Sequence, residues 1–322
     1  MKVADLELRP ATLDDAAFVA DVDTAVIPGD PEDPQMLRHY WTMVEPGSTV
    51  ERFIASLHGE PVGYVNRSHA SWAKMPERFG RISFEIRPHS RTAARLDALV
   101  ALMEERSIAD GTKKVTVWAW EDDELRVGML TARGYREERR ERFWELDLVE
   151  GRERITTMAA ESRARMNKEG IRVLTLAEDT DPKKFEKLKR MSDEAEADVP
   201  TTVPHVASEM DEFMKWLDSP GLKPDRIWIA RDGDDIVGIS QLSYPPVRGV
   251  VATDWTGMAR KARGRGIARA LKCETLVQAI ALGVDRVRTD NDSTNAPILH
   301  INETMGYRRR HDGVQYLKAL QP

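Results

Sequence analysis

The chain repeats one arrangement of residues in its two halves, and this repeat constrains the fold more than any other feature. The segments "FIASLHGEPVGYV" (53–65) and "WIARDGDDIVGIS" (228–240) share an apolar pair with Ala, a Gly-containing turn and a Val-Gly pair. Each predicts a β-hairpin, because a strand-like run enters and leaves a turn. Farther along, "TARGYREER" and "NETMGYRRR" place Gly134-Tyr135-Arg136 and Gly306-Tyr307-Arg308 half a chain apart. We therefore predict two domains of one α/β type.

A charged segment, "VEGRERITTMAAESRARMNKEG" (149–170), separates the two halves. Its middle has a helical pattern, and it ends at a Gly ahead of a new strand. We predict a first domain over 1–148, a linker helix within 149–170 and a second domain over 171–322. In the second half, strands first run antiparallel and then alternate with helices. This order is typical of a mixed, largely antiparallel sheet with helices on both faces.

Composition and charge exclude several classes of protein. The 322 residues carry a net charge of −6, and the isoelectric point is about 5.8, which argues against a nucleic-acid partner. The amino terminus lacks a signal-peptide pattern, and no run approaches the ~18 apolar residues of a membrane span. The single cysteine, Cys273, excludes an intramolecular disulfide, and its apolar neighbours favour a core thiol over a nucleophile. We expect a cytoplasmic protein without a membrane partner.

The segment "ARGRGIARALK" (262–272) lies between a strand and a helix. The helix is indicated by apolar residues that recur on one face, and it ends near Gly283. Its amino end therefore lies at the two glycines, where free N–H groups and the helix dipole favour an anion. Gly264 and Gly266 allow close approach of the backbone, and Arg263 and Arg265 supply charge. The pattern predicts a phosphate-binding loop.

Four other interpretations of this loop are weaker. A solvated basic turn ahead of an ordinary helix is the plainest of them. Arg-Gly segments that bind RNA occur as repeats in disordered sequence, whereas this is a single copy in a folded one. The loop lacks the Gly-Lys-Ser/Thr of a Walker A motif and the three spaced glycines of a Rossmann motif.

The pattern Arg263-x-x-Gly266-x-Ala268 resembles the pyrophosphate loop of the GNAT N-acetyltransferases, Gln/Arg-x-x-Gly-x-Gly/Ala. The segment "TDNDSTNAPILHINETMGY" (289–307) resembles the later signature of that family. The arrangement of both halves is similar to the tandem GNAT proteins of bacteria. The resemblance implies an acyltransferase that moves an acetyl group from acetyl-CoA, without a metal, to the primary amine of a small molecule. Transfer would occur by direct attack in a ternary complex, in a monomer or a homodimer.

The resemblance also implies a cofactor cleft where two parallel strands, here 249–258 and 284–289, splay apart. The residues it assigns to acetyl-CoA are Thr256, Gly257, Met258, Arg263, Gly264, Arg265, Gly266, Ile267, Ala268, Asn291, Asn295 and Asn302. A helix cap or an Asx turn explains Asn291 and Asn295 equally well. Asn302 stands where many members have a Tyr that protonates the leaving thiolate, and it can donate a hydrogen bond but no proton. Three alternatives therefore stay open: the thiolate leaves without a protein acid, Tyr307 is the acid, or a water is the acid. The plainer interpretation of Tyr307 is a residue of the hydrophobic core.

A general base is expected because the attacking amine must be neutral. The candidates are Asp254 on the cofactor strand, and Asp198, His205 and Glu209 in the segment where the family places its acceptor site. Solvated charge or helix capping explains each of them as well. The acidic residues around this segment favour a cationic acceptor such as a polyamine or an amino sugar, although a solvated acidic helix face accounts for most of them.

The first half has lost the loop. Arg91 remains in "IRPHSRTAARLDALV", but Ala94 and Leu96 replace the glycine and the small residue. Asp123 and Leu130 stand at the positions of Asn295 and Asn302. We predict a non-catalytic copy that packs against the second domain. Its tryptophans are interpreted as core residues, with an acceptor pocket as the alternative; they are Trp41, Trp72, Trp118 and Trp120.

Two other functions stay open at this point. The first is a CoA-binding sensor or regulatory protein that never transfers acetyl, which the missing Tyr and the degenerate first half would suit. The second is an acyltransferase with another acyl donor or an alcohol acceptor. Kinship of fold does not choose between substrates.

Overall fold

The computed structural model describes residues 1–321. Its strands are β1 (Lys2–Val3), β2 (Leu6–Pro10), β3 (Thr49–Leu57), β4 (Glu60–His69), β5 (Phe79–Ile86), β6 (Lys114–Trp120), β7 (Arg136–Asp147), β8 (Ile171–Thr175), β9 (Ile227–Asp232), β10 (Asp235–Ser243), β11 (Ala252–Met258), β12 (Arg286–Asp292) and β13 (Arg308–Ala319). Its α-helices are α1 (Ala16–Val26), α2 (Pro34–Thr42), α3 (Ala93–Ala109), α4 (Glu124–Ala132), α5 (Arg152–Lys168), α6 (Lys184–Glu196), α7 (Met210–Leu217), α8 (Ile267–Ala281) and α9 (Ala296–Met305).

The strands form one continuous 13-stranded sheet in the order β1-β2-β3-β4-β5-β6-β13-β7-β12-β11-β10-β9-β8. Only β5 with β6 and β11 with β12 pair in parallel. Eight consecutive residues of β10, Ile236–Ser243, are buried, which is the pattern of a strand covered on both faces. Side chains of α6 and α8 share its hydrophobic core. The predicted class, a mixed and largely antiparallel sheet with helices on both faces, is confirmed.

The two halves exchange their last strands, which the sequence does not predict. Strand β7 of the first half pairs with β12, from Asp147 opposite Arg286 to Glu141 opposite Asp292. Strand β13 of the second half pairs with β6, and β7 and β13 pair with each other at the centre of the sheet. Each exchanged strand therefore completes the sheet of the other half.

The exchange also mixes the hydrophobic cores. Val314 and Tyr316 of β13 pack in the core of the first half. Trp144 and Leu146 of β7 pack with α8 and β12 in the second half. Helix α5 lies within the predicted linker segment, and the ranges 1–148 and 171–322 stay a proposal because each half borrows a strand.

Candidate active site

A cleft opens where β11 and β12 diverge. The two strands pair only at Ala252 opposite Arg288, and the Arg288 amide donates to the carbonyl oxygen of Val251 at 2.9 Å. Beyond this vertex the strands separate around a cavity of about 960 Å³. Its walls come from β11, the loop after it, α8, β12 and α9, and the exchanged strand β7 contributes Arg139 and Glu141. Strands β11 and β12, which correspond to the predicted strands 249–258 and 284–289, thus diverge as expected.

The amino end of α8 opens into this cavity with its backbone amides free. Gly266 precedes the helix with φ of +80° and makes no side-chain cap. Among residues 1–321, no backbone amide from Gly264 to Ala268 donates a hydrogen bond. A Cβ on Gly266 would lie 2.9 Å from Nη1 of Arg165. Free N–H groups at a helix start, with space that a side chain would fill, fit a diphosphate group.

Two arginines of the loop pair with carboxylates of the protein. Arg263 lies 2.7 Å from Asp198, and Arg265 lies 2.7 Å from Asp232. Arg165 on α5 and Arg269 on α8 line the cavity as further cations, and the sequence analysis missed both. Arg269 follows Gly266 by one helical turn, which was a usable signal. Arg165 had none, because only the fold brings α5 to the loop.

The cavity contains all predicted cofactor residues except Arg265 and Asn302: Thr256, Gly257, Met258, Arg263, Gly264, Gly266, Ile267, Ala268, Asn291 and Asn295. Asn302 is 0% exposed, and its Nδ2 donates to Oδ1 of Asn291 at 2.6 Å. It therefore fixes Asn291, which does line the cavity. Asn295 precedes α9 but makes no side-chain cap there, so capping does not explain it.

The four candidate bases lie in different surroundings. Asp254 lines the cavity, accepts a hydrogen bond from Nε2 of Gln241 at 2.7 Å, and burial raises its pKa. Asp198 also lines the cavity, but its hydrogen bond with Arg260 and its pairing with Arg263 lower its pKa to about 2. His205 and Glu209 lie outside the cavity lining. His205 is 3.6 Å from Glu196, and Glu209 forms a capping box at the start of α7.

The acidic residues predicted to attract a cation are largely paired within the protein. Asp193 pairs with Lys189, and Glu194 accepts from the backbone amide of Arg260. Within the cavity, Asp292 is 3.1 Å from Arg139, which also pairs with Glu141. Asp254 and Asp290 are the cavity carboxylates that form no ion pair among residues 1–321.

The tryptophans of the first half lie outside the cavity lining. Trp41 packs in a small core under β3 and β4, and Trp72 stacks on His69 at 3.8 Å. Trp118 and Trp120 pack edge-on with Phe143. Trp255 of the second half lines the cavity instead.

Comparison with known proteins finds a family model that is similar to part of the second half. Residues 188–307 match the family model described as "Acetyltransferase (GNAT) family". This region contains the splayed strands, the free helix start and α9. Residues 188–307 are therefore similar to the GNAT acetyltransferases, and the match covers less than half of the chain.

Solved structures extend the GNAT likeness to the whole chain. A tandem GNAT protein from the clavulanic acid biosynthesis pathway superposes with a TM-score of 0.73 at 14% identity, covering 98% of this chain and 99% of that one. A GCN5-related N-acetyltransferase from Sphaerobacter thermophilus gives 0.70 at 18% identity, covering 100% and 98%. A fungal glucosamine N-acetyltransferase region gives 0.66 at 13% identity, covering 98% and 38%. The chain thus has the fold of a tandem GNAT protein. No protein with a curated description matches it by sequence.

No helix within residues 1–321 is long and apolar enough to cross a membrane. No group of three or more His, Cys, Asp or Glu side chains in the same residues is arranged to hold a metal ion.

Proposed function

We propose that the chain moves the acetyl group of acetyl-CoA to the primary amine of a small, cationic acceptor by direct attack in a ternary complex. One observation carries the proposal: the five consecutive amides Gly264–Ala268 at the start of α8 are free, and all of these residues except Arg265 line the cavity of about 960 Å³. Free N–H groups at a helix start that open into a cavity are available to bind an anion.

These amides would hold the diphosphate of CoA, with Arg165 and Arg269 adding positive charge. The open edge of β11 from Thr256 to Met258 would lie along the pantetheine arm, because the separation from β12 leaves that edge unpaired. Asn291, held by Asn302, would face the same arm. Acetyl-CoA supplies an activated thioester. The protein binds and orients it, accepts the proton of the amine and assists protonation of the leaving thiolate.

Among the four candidate residues, the position of Asp254 in the cavity favours it as the general base. It faces the cavity, forms no ion pair, and its pKa is raised by burial. A raised pKa brings a carboxylate nearer to the value at which it accepts a proton efficiently near neutral pH. His205 and Glu209 stay predictions, since neither lines the cavity.

The burial and protonation of the single cysteine support direct attack by the amine over a mechanism with an acyl-cysteine intermediate. Cys273 is 0% exposed and lies outside the cavity lining. Burial raises the pKa of its thiol to about 11, so the thiolate is scarce at neutral pH. The amine is therefore left to attack the thioester itself.

A cationic acceptor suits the two unpaired carboxylates, Asp254 and Asp290. Both lie inside the cavity, where their attraction to an ammonium group would offset part of the hydration energy that this group loses on burial. The first half would act as a non-catalytic wall, because β7 places Arg139 and Glu141 on the cavity.

The test is release of CoA thiol in the presence of acetyl-CoA and a panel of polyamines, amino sugars and other primary amines. We expect release that depends on one class of cationic amine and is slower with longer acyl-CoA donors. Tight CoA binding without amine-dependent thiol release would contradict transfer and favour a CoA-binding regulator.

A further inference from the structure

One buried lysine lines the cavity near its vertex. Lys272 lies on α8, is 2% exposed, and borders the cavity together with Thr253 and Thr289. These two threonines directly follow the vertex pair, Ala252 and Arg288, on their strands. The ammonium group therefore lies at the end of the cleft away from the phosphate loop.

Lys272 has no carboxylate within ion-pair distance among residues 1–321. Its Nζ is 3.4 Å from Oγ1 of Thr253 and 5.5 Å from the centre of the Tyr307 ring, and it forms no ion pair among residues 1–321. A buried ammonium without a carboxylate is costly and is rare in structural positions. In the register that aligns Gly134 with Gly306, the first half has Val100 at this place, buried in its core. The fold itself does not need the lysine.

Among the titratable groups at the vertex end of the cleft, Lys272 has the pKa best suited to donate a proton near neutral pH. Burial lowers the pKa of Lys272 to about 8, and Asp290 on β12 opposes this shift. Burial raises the pKa of Cys273 on the same helix to about 11 and raises that of Tyr307 further. Both stay protonated at neutral pH, and neither releases a proton as readily as Lys272.

Lys272 and Asp254 lie on opposite faces of the gap between β11 and β12. The register of β10 and β11 shifts here, so Asp254 lies at a β-bulge. Leu242 lies opposite Thr253, and Gln241, its neighbour on β10, points to the other face. Thr253 contacts Lys272 on the side of α8, whereas Asp254 contacts Gln241 of β10. If the amine attacks the thioester from the side of Asp254, the opposite side of the thioester faces Lys272.

We propose that Lys272 is the general acid that protonates the leaving CoA thiolate, an inference that rests on the proposed function. The neutral amine forms a C–N bond to the thioester carbon, and Asp254 takes one proton from that nitrogen. The C–S bond then breaks, its electron pair goes to sulfur, and the Lys272 ammonium gives a proton to the thiolate. Lys272 regains a proton from solvent, and Asp254 releases one.

The first test needs no acceptor and no turnover. The pKa of the CoA thiol is measured by the ultraviolet absorbance of its thiolate, for CoA free and bound to the protein. We expect the thiolate fraction of bound CoA near neutral pH to be about tenfold higher than that of free CoA, because one pKa unit is a factor of ten. In Lys272→Met this gain should disappear. Lys223→Met, which removes an exposed lysine outside the cavity lining, should keep it.

The outcomes separate the two proposals. No CoA binding to the wild type would overturn both. Bound CoA with the thiol pKa of free CoA would overturn the role of Lys272 alone, and this result needs no variant. An equal pKa in the wild type and in folded Lys272→Met would do the same. Loss of a buried unpaired charge should leave the thermal unfolding temperature equal or higher, so the variant is expected to fold.

The kinetic test follows once an acceptor is known. The kcat of the wild type should fall as pH rises through about 8, where Lys272 loses its proton. Lys272→Met should lower kcat about 100-fold, change the KM for acetyl-CoA little, and lose this limb. A limb that persists in the variant would overturn the assignment.

Discussion

The amino ends of α3 and α8 occupy the same place in the two halves, but α8 leaves a longer run of amides free. At α3 only the amides of Thr92, Ala93 and Ala94 lack an acceptor within residues 1–321. At α3, Oγ1 of Thr92 accepts from the Arg95 amide at 3.3 Å. At α8, Gly266 provides no side chain, and the amides Gly264–Ala268 donate to no acceptor within residues 1–321. One fold can therefore keep or lose an anion site through the residues at a single helix start.

The cleft of the first half is filled by its own charges. Arg91 lies 2.7 Å from Glu85 and 2.5 Å from Asp123, and Arg126 lies 3.1 Å from Glu85. In the register that aligns Gly134 with Gly306, Glu85 stands at the place of Gly257 and Asp123 at that of Asn295. The protein thus supplies both the anions and the cations that the second half leaves for a ligand. Strands β5 and β6 also stay paired longer, from Phe79 opposite Lys114 to Ile82 opposite Val117.

The largest effect expected is on the chemical step in the second half. Asp254→Asn should lower kcat by about 10²–10⁴-fold, the usual range for loss of a general base, with little change in CoA affinity. The wild-type rate should fall as pH decreases through a pKa above the ordinary aspartate value, because burial disfavours the carboxylate. Steady-state kinetics across pH measures both. An unchanged acid limb in the variant would remove Asp254 as the base.

The charge cluster of the first half should matter for stability and not for binding. Arg91→Met leaves Glu85 and Asp123 without their shared partner, which should lower the free energy of unfolding by about 3–5 kcal/mol. Arg308→Met, which breaks an exposed pair with Glu150, should cost about 0–1 kcal/mol. Urea unfolding and CoA titration measure the two effects. Weaker CoA binding in folded Arg91→Met would show that the first half takes part in binding.

The glycine at the start of α8 gives the sharpest contrast with α3. Gly266→Val should weaken CoA binding about 100-fold, because a side chain at φ of +80° is strained and its Cβ would lie 2.9 Å from Arg165. Gly283→Val is the matched control at the other end of the helix. Its φ is +78°, and nothing lies within 4 Å of its Cβ. It should lose similar stability and keep CoA affinity; equal binding losses in both variants would point to strain alone.

The smallest effect concerns the loop arginine. Asp198→Asn removes the carboxylate that pairs with Arg263 at 2.7 Å, so the guanidinium becomes available to CoA. Affinity should rise by about two- to fivefold at low salt, because exposed ion pairs contribute about 0–1 kcal/mol. Titration at two salt concentrations checks this, and the gain should shrink at high salt.

The sequence predicted the elements of the fold and the loop, because these depend on short-range pattern. The hairpins, the helix at Gly266 and the fold class follow from turns, periodicity and glycines. The strand exchange does not, since β7 and β13 both follow a Gly-Tyr-Arg turn and fit either edge. Only the contacts of Trp144 and Val314 with the opposite cores distinguish the pairings.

The candidate site was predictable where it is continuous in sequence and not where the fold assembles it. Gly264–Ala268 and Asp254 could be named in advance from the loop and the strand before it. Arg165 and Arg139 reach the cavity from distant segments, which no local pattern reports. Lys272 gives only a weak sequence signal, a charge between the buried Leu271 and Cys273, and the helical pattern alone does not reveal a role for it.

Calorimetric titration with acetyl-CoA tests the central claim, that one helix start of the two binds the cofactor. The account predicts one site per chain in the wild type and no measurable site in Gly266→Val at the same concentrations. Two sites per chain, or one site unaffected by Gly266→Val, would place binding elsewhere and contradict it.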